Sequence, residues 1–246
     1  MELKELIEKR WQCSAEKYSE SIQRELKLEI NRWKGYIAKH ISVKEKVKIL
    51  DIGCGPGFFT ILFSGEDHET IGIDGSSNMV AEAVLNAERQ NANADFKVMD
   101  CHHLEFADDT FDLVVSRNVV WTLYDPAAAY REWRRVLKPG GKIMTFDAAW
   151  NREYHDPKVM EKKKLLRSQL KAQERQEYFC EDQELGLELD LKSVLGMEKR
   201  PQWDRECLES LGMKVKVDEN AWKILWDEHT QLKSGATPMF MILAEK

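Results

Sequence analysis

The chain has 246 residues, 43% hydrophobic and 33% charged, with a formal net charge of −6. That mix excludes a disordered chain, and the length suffices for one large domain with a substantial core. No apolar run approaches the ~20 residues of a membrane helix, Met1–Arg10 lacks the apolar stretch of a secretory signal, and the acidic balance disfavours a surface for nucleic acid.

The first forty residues read as helix. Leu3, Leu6 and Ile7 share one stripe, and Ile22, Leu26, Ile30, Trp33 and Ile37 share a longer one. After the charged stretch Lys44–Lys48 the period changes. Val47–Ile52 reads as a short buried strand, closed by Gly53-Cys54-Gly55-Pro56-Gly57. Phe58–Phe63 follows as helix, Thr70–Asp74 as strand and Ser76–Gln90 as helix. Asp95–Asp100 and Phe111–Ser116 are the next strands, with a helix over Pro126–Leu137. A tight turn at Lys138–Gly141 precedes a fifth strand, Lys142–Ala148. After Trp150 this alternation breaks, and Pro157–Phe179 predicts a long helix with a solvated charged face. From Trp203 the pattern resumes with a short helix around Cys207–Leu211 and strands at Lys214–Val217 and Met239–Ala244.

Strands alternating with helices predict a doubly wound α/β fold on a mostly parallel, seven-stranded sheet. The expected organisation is a single domain. Residues 1–43 form a helical cap and 44–149 a ligand-binding core. Residues 150–201 form a helical insertion acting as lid or substrate wall, and 202–246 the last strands.

In such sheets ligands bind at the carboxyl ends of strands. The glycine loop follows the first strand, where glycines let backbone approach a ligand closely. A dinucleotide site uses G-x-G-x-x-G, but Phe58 occupies the third glycine position, and the Gly-Lys-Ser/Thr of a phosphate loop is absent. A ligand without pyrophosphate is favoured over a nicotinamide cofactor. Asp74 ends the second strand 21 residues after Gly53, where a carboxylate accepts both hydroxyls of a ribose. Asp100 ends the third, placed to accept from an adenine amino group or to cap a turn.

Together Ile49–Gly57, Gly72–Met79, Asp100-Cys101 with Phe106–Val114, and Leu137–Gly141 resemble class I S-adenosylmethionine-dependent methyltransferases, in particular the group similar to ubiquinone and menaquinone biosynthesis enzymes. The resemblance covers residues 47–148 closely and the last two strands loosely. It implies S-adenosylmethionine as methyl donor and a Rossmann-like methyltransferase fold. It also implies roles for matching residues. Gly53, Cys54 and Gly55 pass under the methionine and ribose. Asp51 fixes the ammonium, Asp74 with Gly75 the ribose hydroxyls, and Ser76 and Met79 flank ribose and adenine. Asp100, Cys101 and His102 edge the adenine. Ser116, Arg117 and Asn118 face the methionine and methyl. Tyr18 is either an aromatic placed over the cofactor from the N-terminal helix or a packed core residue.

The sulfonium is a good leaving group, so the protein's task is alignment and exclusion of water, with a base needed only for a protonated acceptor. No one base stands out. Trp121, Tyr154 and His155 are candidates near the acceptor. His102 and His103 read as surface histidines, His229 lies in a C-terminal connection, and Asp147 either faces the pocket or caps the next segment. The Asp/Asn-Pro-Pro-aromatic signature of base-modifying enzymes is absent where Ser116–Trp121 stands. The favoured acceptor is therefore a small molecule, with no metal. An RNA methyltransferase and a non-enzymatic cofactor-binding regulator remain the alternatives. Five scattered cysteines without a C-x-x-C pair argue against a zinc site or disulfide framework and for a cytoplasmic location. Of eight tryptophans, Trp121 and Trp150 fall where they wall an acceptor pocket, and Trp133 reads as core.

Overall fold

Burial on both faces makes the central strands the most apolar segments of the chain. β1 (Lys48–Ile52), β4 (Phe111–Arg117) and β7 (Phe240–Glu245) are almost wholly buried, whereas β3 (Asp95–Val98) and β6 (Lys214–Asp218) are exposed edges. With β2 (Glu69–Asp74) and β5 (Leu137–Asp147) they form one sheet in the order β3-β2-β1-β4-β5-β7-β6. β1 to β5 pair in parallel, and β7 runs antiparallel to both β5 and β6. The strand order reverses between β1 and β4, the position at which such sheets open a ligand crevice. This computed structural model describes residues 2–41, 46–64, 68–171 and 183–246. Part of the charged stretch before β1, the last residues of the helix expected to Phe179, and Cys180 lie outside them.

Strand alternation sorts the core into two layers. Ile49, Leu113, Val115, Met144 and Phe146 face α1 (Leu3–Leu28), α2 (Ile30–Ile37) and α3 (Phe58–Ser64). There Trp33 meets Phe58, Phe59 and Phe146 edge-on at ring distances of 5.5, 5.3 and 5.0 Å. Leu50, Ile52, Val114 and Ile143 face α5 (Pro126–Val136) and α8 (Gln202–Ser210), where Trp133 is fully buried as expected. Helix starts follow capping chemistry. Ser76 Oγ accepts from Met79 N before α4 (Ser77–Gln90), and Asp125 and Asp156 cap α5 and α6 (Pro157–Ser168), each ahead of a proline. α7 (Gln183–Lys192), α9 (Ala221–Leu225) and α10 (Glu228–Ser234) complete the described helices.

Several expectations change. The helix predicted to Phe179 ends at Ser168 within the described residues, and His229 lies in α10 rather than in a connection. The turn at Lys138–Gly141 is absorbed into β5 as an irregularity: Phe111 pairs Leu137 while Leu113 pairs Lys142. Gly140 N–H donates to the Lys246 carbonyl and Lys246 N–H to that of Gly141, so the chain's last residue pairs the turn. Cys13 is disulfide-bonded, against the expectation drawn from cysteine spacing. Pairing follows distance in the fold, which spacing does not report. No helix among the described residues is long and apolar enough to cross a membrane.

Candidate active-site cavity

Along the carboxyl ends of β1, β2 and β4 lies a cavity of about 480 Å³, roofed by α1. The roof is one helical stripe: Lys4, Ile7, Glu8, Trp11, Tyr18 and Ile22 all line it. This stripe differs from the two expected, Leu3 to Ile7 and Ile22 to Ile37, although Ile7, Trp11, Tyr18 and Ile22 keep helical spacing. Leu6, on the opposite side of α1, packs with Leu185 and Leu189 of α7. α7 thus packs against the roof from outside, and none of the described residues of 150–201 lines the cavity.

The floor is the glycine loop. Gly53 has φ +61 and a side chain there would collide with Val119; Gly55 has φ +51 and lies under the Tyr18 ring. Only glycine adopts both conformations readily. Asp74 ties the loop down: one oxygen accepts from Gly55 N (2.9 Å), the other from Ser76 N (2.8 Å). Burial nonetheless pushes its pKa up to about 6. Asp51 shares the parity of Ile49, so it turns toward α3, where it accepts from Thr60 N (2.9 Å) and Thr60 Oγ (2.7 Å). Burial raises it to about 7 against those bonds and the field of Arg117.

Arg117 is the cavity's buried cation. It pairs with Glu25 at 2.5 Å and sits 4.3 Å over the Phe58 ring. Burial opposes its charge, but Glu25 outweighs burial and keeps the pKa above its ordinary value. Asn118 follows in the left-handed region, φ +59, a strained conformation for a side-chain-bearing residue. Its surroundings fix it. Asn118 N donates to Phe146 O (2.9 Å), its carbonyl accepts from Trp121 Nε1 (2.9 Å), and its Oδ1 accepts from Trp150 Nε1 (3.2 Å). Arg117 and Asn118 both hydrogen-bond the Tyr18 hydroxyl, whose pKa burial raises. Tyr18 therefore lies at the cavity rather than in the core alone.

At the far end Asp100 collects four donors. Its Oδ1 accepts from His102 N (2.9 Å) and Nδ1 (2.8 Å), and its Oδ2 from Lys4 Nζ (2.9 Å) and Tyr124 Oη (3.1 Å). Burial opposes the charge, but these bonds outweigh it and hold the carboxyl well below its usual range. His102 is not a surface residue. Its side chain is 3% exposed and stacks on Tyr124 at 3.8 Å, while His103 is 82% exposed.

Of the residues singled out in the sequence, Tyr18, Asp51, Gly53, Cys54, Gly55, Asp74, Gly75, Ser76, Met79, Asp100, Cys101, His102, Arg117 and Asn118 line this one cavity. Ser116 does not. It shares the parity of Val114, points into the other layer and bonds Thr145 Oγ1 at 3.0 Å. Trp121 and Trp150 lie behind Asn118, using their indole N–H groups to hold it, and are not open pocket walls. Tyr154 and His155 lie outside the cavity; His155 Nε2 donates to Asp190 O (3.4 Å). Asp147 neither faces the cavity nor merely caps. It accepts from Trp121 N (3.0 Å) and Ala148 N (2.8 Å), and forms a fully buried pair with Arg200. Lining by Lys4, Glu8, Trp11, Val119, Thr122, Leu123 and Tyr124 is not marked in the sequence.

Residues 50–145 match a family model described as a methyltransferase domain. The chain is 36% identical over 108 residues to phosphoethanolamine N-methyltransferase 1 of Triticum aestivum, covering 44% of this chain and 22% of that protein. It is 36% identical over 144 residues to an uncharacterised methyltransferase of Schizosaccharomyces pombe, covering 54% and 51%. It thus spans about a fifth to a half of the length of these relatives. Among solved structures, one described as a putative S-adenosylmethionine-dependent methyltransferase of Methanococcus maripaludis superposes with a TM-score of 0.60 at 22% identity. The match covers 95% of this chain and 94% of that one. At that identity the likeness shows the fold.

Proposed function

We propose that this chain, whose residues 50–145 match the methyltransferase-domain model, transfers a methyl group from S-adenosylmethionine to a small-molecule acceptor. One observation carries the reading: three carboxylates, Asp51, Asp74 and Asp100, each close to the carboxyl end of one of three adjacent parallel strands, line one cavity around the glycine loop. This donor set fits the cofactor group by group. Asp74 keeps lone pairs for two ribose hydroxyls beyond those given to Gly55 and Ser76. Asp51 and Arg117 offer opposite charges for the ammonium and carboxylate of the methionine part. Met79 flanks the adenine. When bound, the cofactor supplies a methyl on a sulfonium that leaves readily.

The remaining work falls to the chain. Asn118 and Tyr18 face the region of the methyl, and the aromatic faces of Trp11, Tyr18 and Phe58 exclude water and favour a cation. The acceptor enters between the α1 stripe and the segment Val119–Tyr124. About 480 Å³ shared with the cofactor leaves space for a small acceptor only. Within the insertion, α7 serves as a brace that holds α1 down, and the described residues of 150–201 do not form the pocket wall. Among the described residues lining the cavity, the imidazoles are His102 and His103 at the Asp100 end, so the acceptor beside Asn118 presents its lone pair without help from a histidine base.

The test is transfer of isotope from methyl-labelled S-adenosylmethionine into the low-mass fraction of a metabolite extract. Label in that fraction, lost in Asp74→Asn, supports the reading. Tight cofactor binding with no transfer, or label in RNA, overturns it.

A further inference from the structure

Asp100 has no acceptor capacity left. A carboxylate offers about four lone-pair positions, and His102 N, His102 Nδ1, Lys4 Nζ and Tyr124 Oη fill them. The four donors differ in how easily they leave. His102 contributes a backbone N–H and a side chain that is 3% exposed. Tyr124 is stacked on that imidazole at 3.8 Å. Lys4 stands in the second residue of α1, 51% exposed, on a flexible four-carbon stem. Any N–H donor arriving at Asp100 from the cavity displaces Lys4 first.

The geometry points to Lys4 as a specificity-determining residue that competes with the adenine amino group for Asp100. This inference rests on the cofactor reading above. A purine edge that donates at position 6 must break the Lys4–Asp100 pair, and so binds below its intrinsic affinity. A purine edge that accepts there, as a 6-oxo base does, has nothing to give Asp100. It takes its hydrogen bond from the Lys4 ammonium and leaves the pair in place. Lys4 therefore narrows the preference for adenine that Asp100 alone would give. The pair is partly exposed, so salt weakens it and relieves the competition.

The test uses the two neutral zwitterions S-adenosylhomocysteine and its 6-oxo counterpart S-inosylhomocysteine, titrated calorimetrically into the full chain and into Lys4→Met. That variant keeps the stem and removes the charge. An exposed pair of this kind changes an equilibrium by about two- to fivefold. Lys4→Met is expected to bind the adenosyl ligand two- to fivefold more tightly and the inosyl ligand no better or more weakly, so selectivity rises. Raising ionic strength is expected to tighten adenosyl binding to the natural chain and leave the variant flat. Weaker adenosyl binding in the variant, or an equal shift for both ligands, overturns the inference while leaving the cofactor reading intact. Failure of the natural chain to bind either ligand overturns both.

Discussion

Replacing Asp74 by Asn tests the cavity's principal anchor. The carboxylate accepts from Gly55 N at 2.9 Å and Ser76 N at 2.8 Å, and each oxygen retains a second lone pair for a ribose hydroxyl. An amide keeps one oxygen. Its NH2 meets a backbone N–H on the other side, so one loop bond and one ribose bond are lost and the rest lose their charge assistance. Hydrogen bonds to a charged group contribute about 1.5–3 kcal/mol each. Only the ribose bond is made on binding, so its loss weakens the Kd of S-adenosylhomocysteine by about 1.5–3 kcal/mol, roughly 10- to 150-fold, while the lost loop bond lowers the stability of the fold. The pH series gives a second readout. Ligand binding favours the ionised carboxylates, and burial raises Asp51 to about 7 and Asp74 to about 6. Affinity of the natural chain therefore falls as pH drops, by up to about tenfold per unit from 7 to 6 and up to about a hundredfold per unit below 6. In Asp74→Asn only the Asp51 step remains. Calorimetry across pH 5–8, with circular dichroism to show an intact fold, measures both. A folded variant within twofold of the natural affinity, or with the same slope below pH 6, refutes the assignment.

Three other perturbations probe the frame. Arg200→Met leaves Asp147 and Asp204, paired with Arg200 at 3.1 and 2.7 Å in full burial, as uncompensated charges. Stability should fall by about 3–5 kcal/mol and Tm by roughly 10 °C, and a loss under 1 kcal/mol in thermal unfolding would contradict the charge accounting. Gly53→Ala places a side chain at φ +61 against Val119; more than tenfold weaker cofactor binding is expected, with about 1–3 kcal/mol lost in denaturant melts. Trp150→Phe removes the donor to Asn118 Oδ1. Turnover should fall about tenfold by analogy with other misplaced groups, with cofactor Kd within twofold, and an unchanged kcat would mean that Asn118 needs no such support.

The strand-end carboxylates were legible because local chemistry marks them. An apolar strand, a glycine loop and a strand-terminal Asp lie within a few residues of one another, and the parallel sheet then brings Asp51, Asp74 and Asp100 together. Ser116 was misassigned although alternation contained the answer: Arg117 shares the face of Val115, and Ser116 does not. The identity of the roof was harder. Ile7, Trp11, Tyr18 and Ile22 are interleaved with charged residues on α1, and only the seat of α1 over the sheet makes their stripe a cavity wall. Trp121 and Trp150 reached the right neighbourhood in the wrong role, because their indole N–H groups turn them toward Asn118. Burial of His102 depends on Tyr124 and Asp100, contacts that a dihistidine in a polar stretch does not announce. Lys246 pairing the Lys138–Gly141 turn is likewise a contact between segments distant in the chain.

The central claim, that this cavity seats S-adenosylmethionine, is met most directly by a crystal structure with S-adenosylhomocysteine. The account predicts both ribose hydroxyls on Asp74, the amino acid part between Asp51 and Arg117, and the sulfur facing Asn118 and Tyr18. Ligand density elsewhere, or a ribose turned away from Asp74, would contradict it.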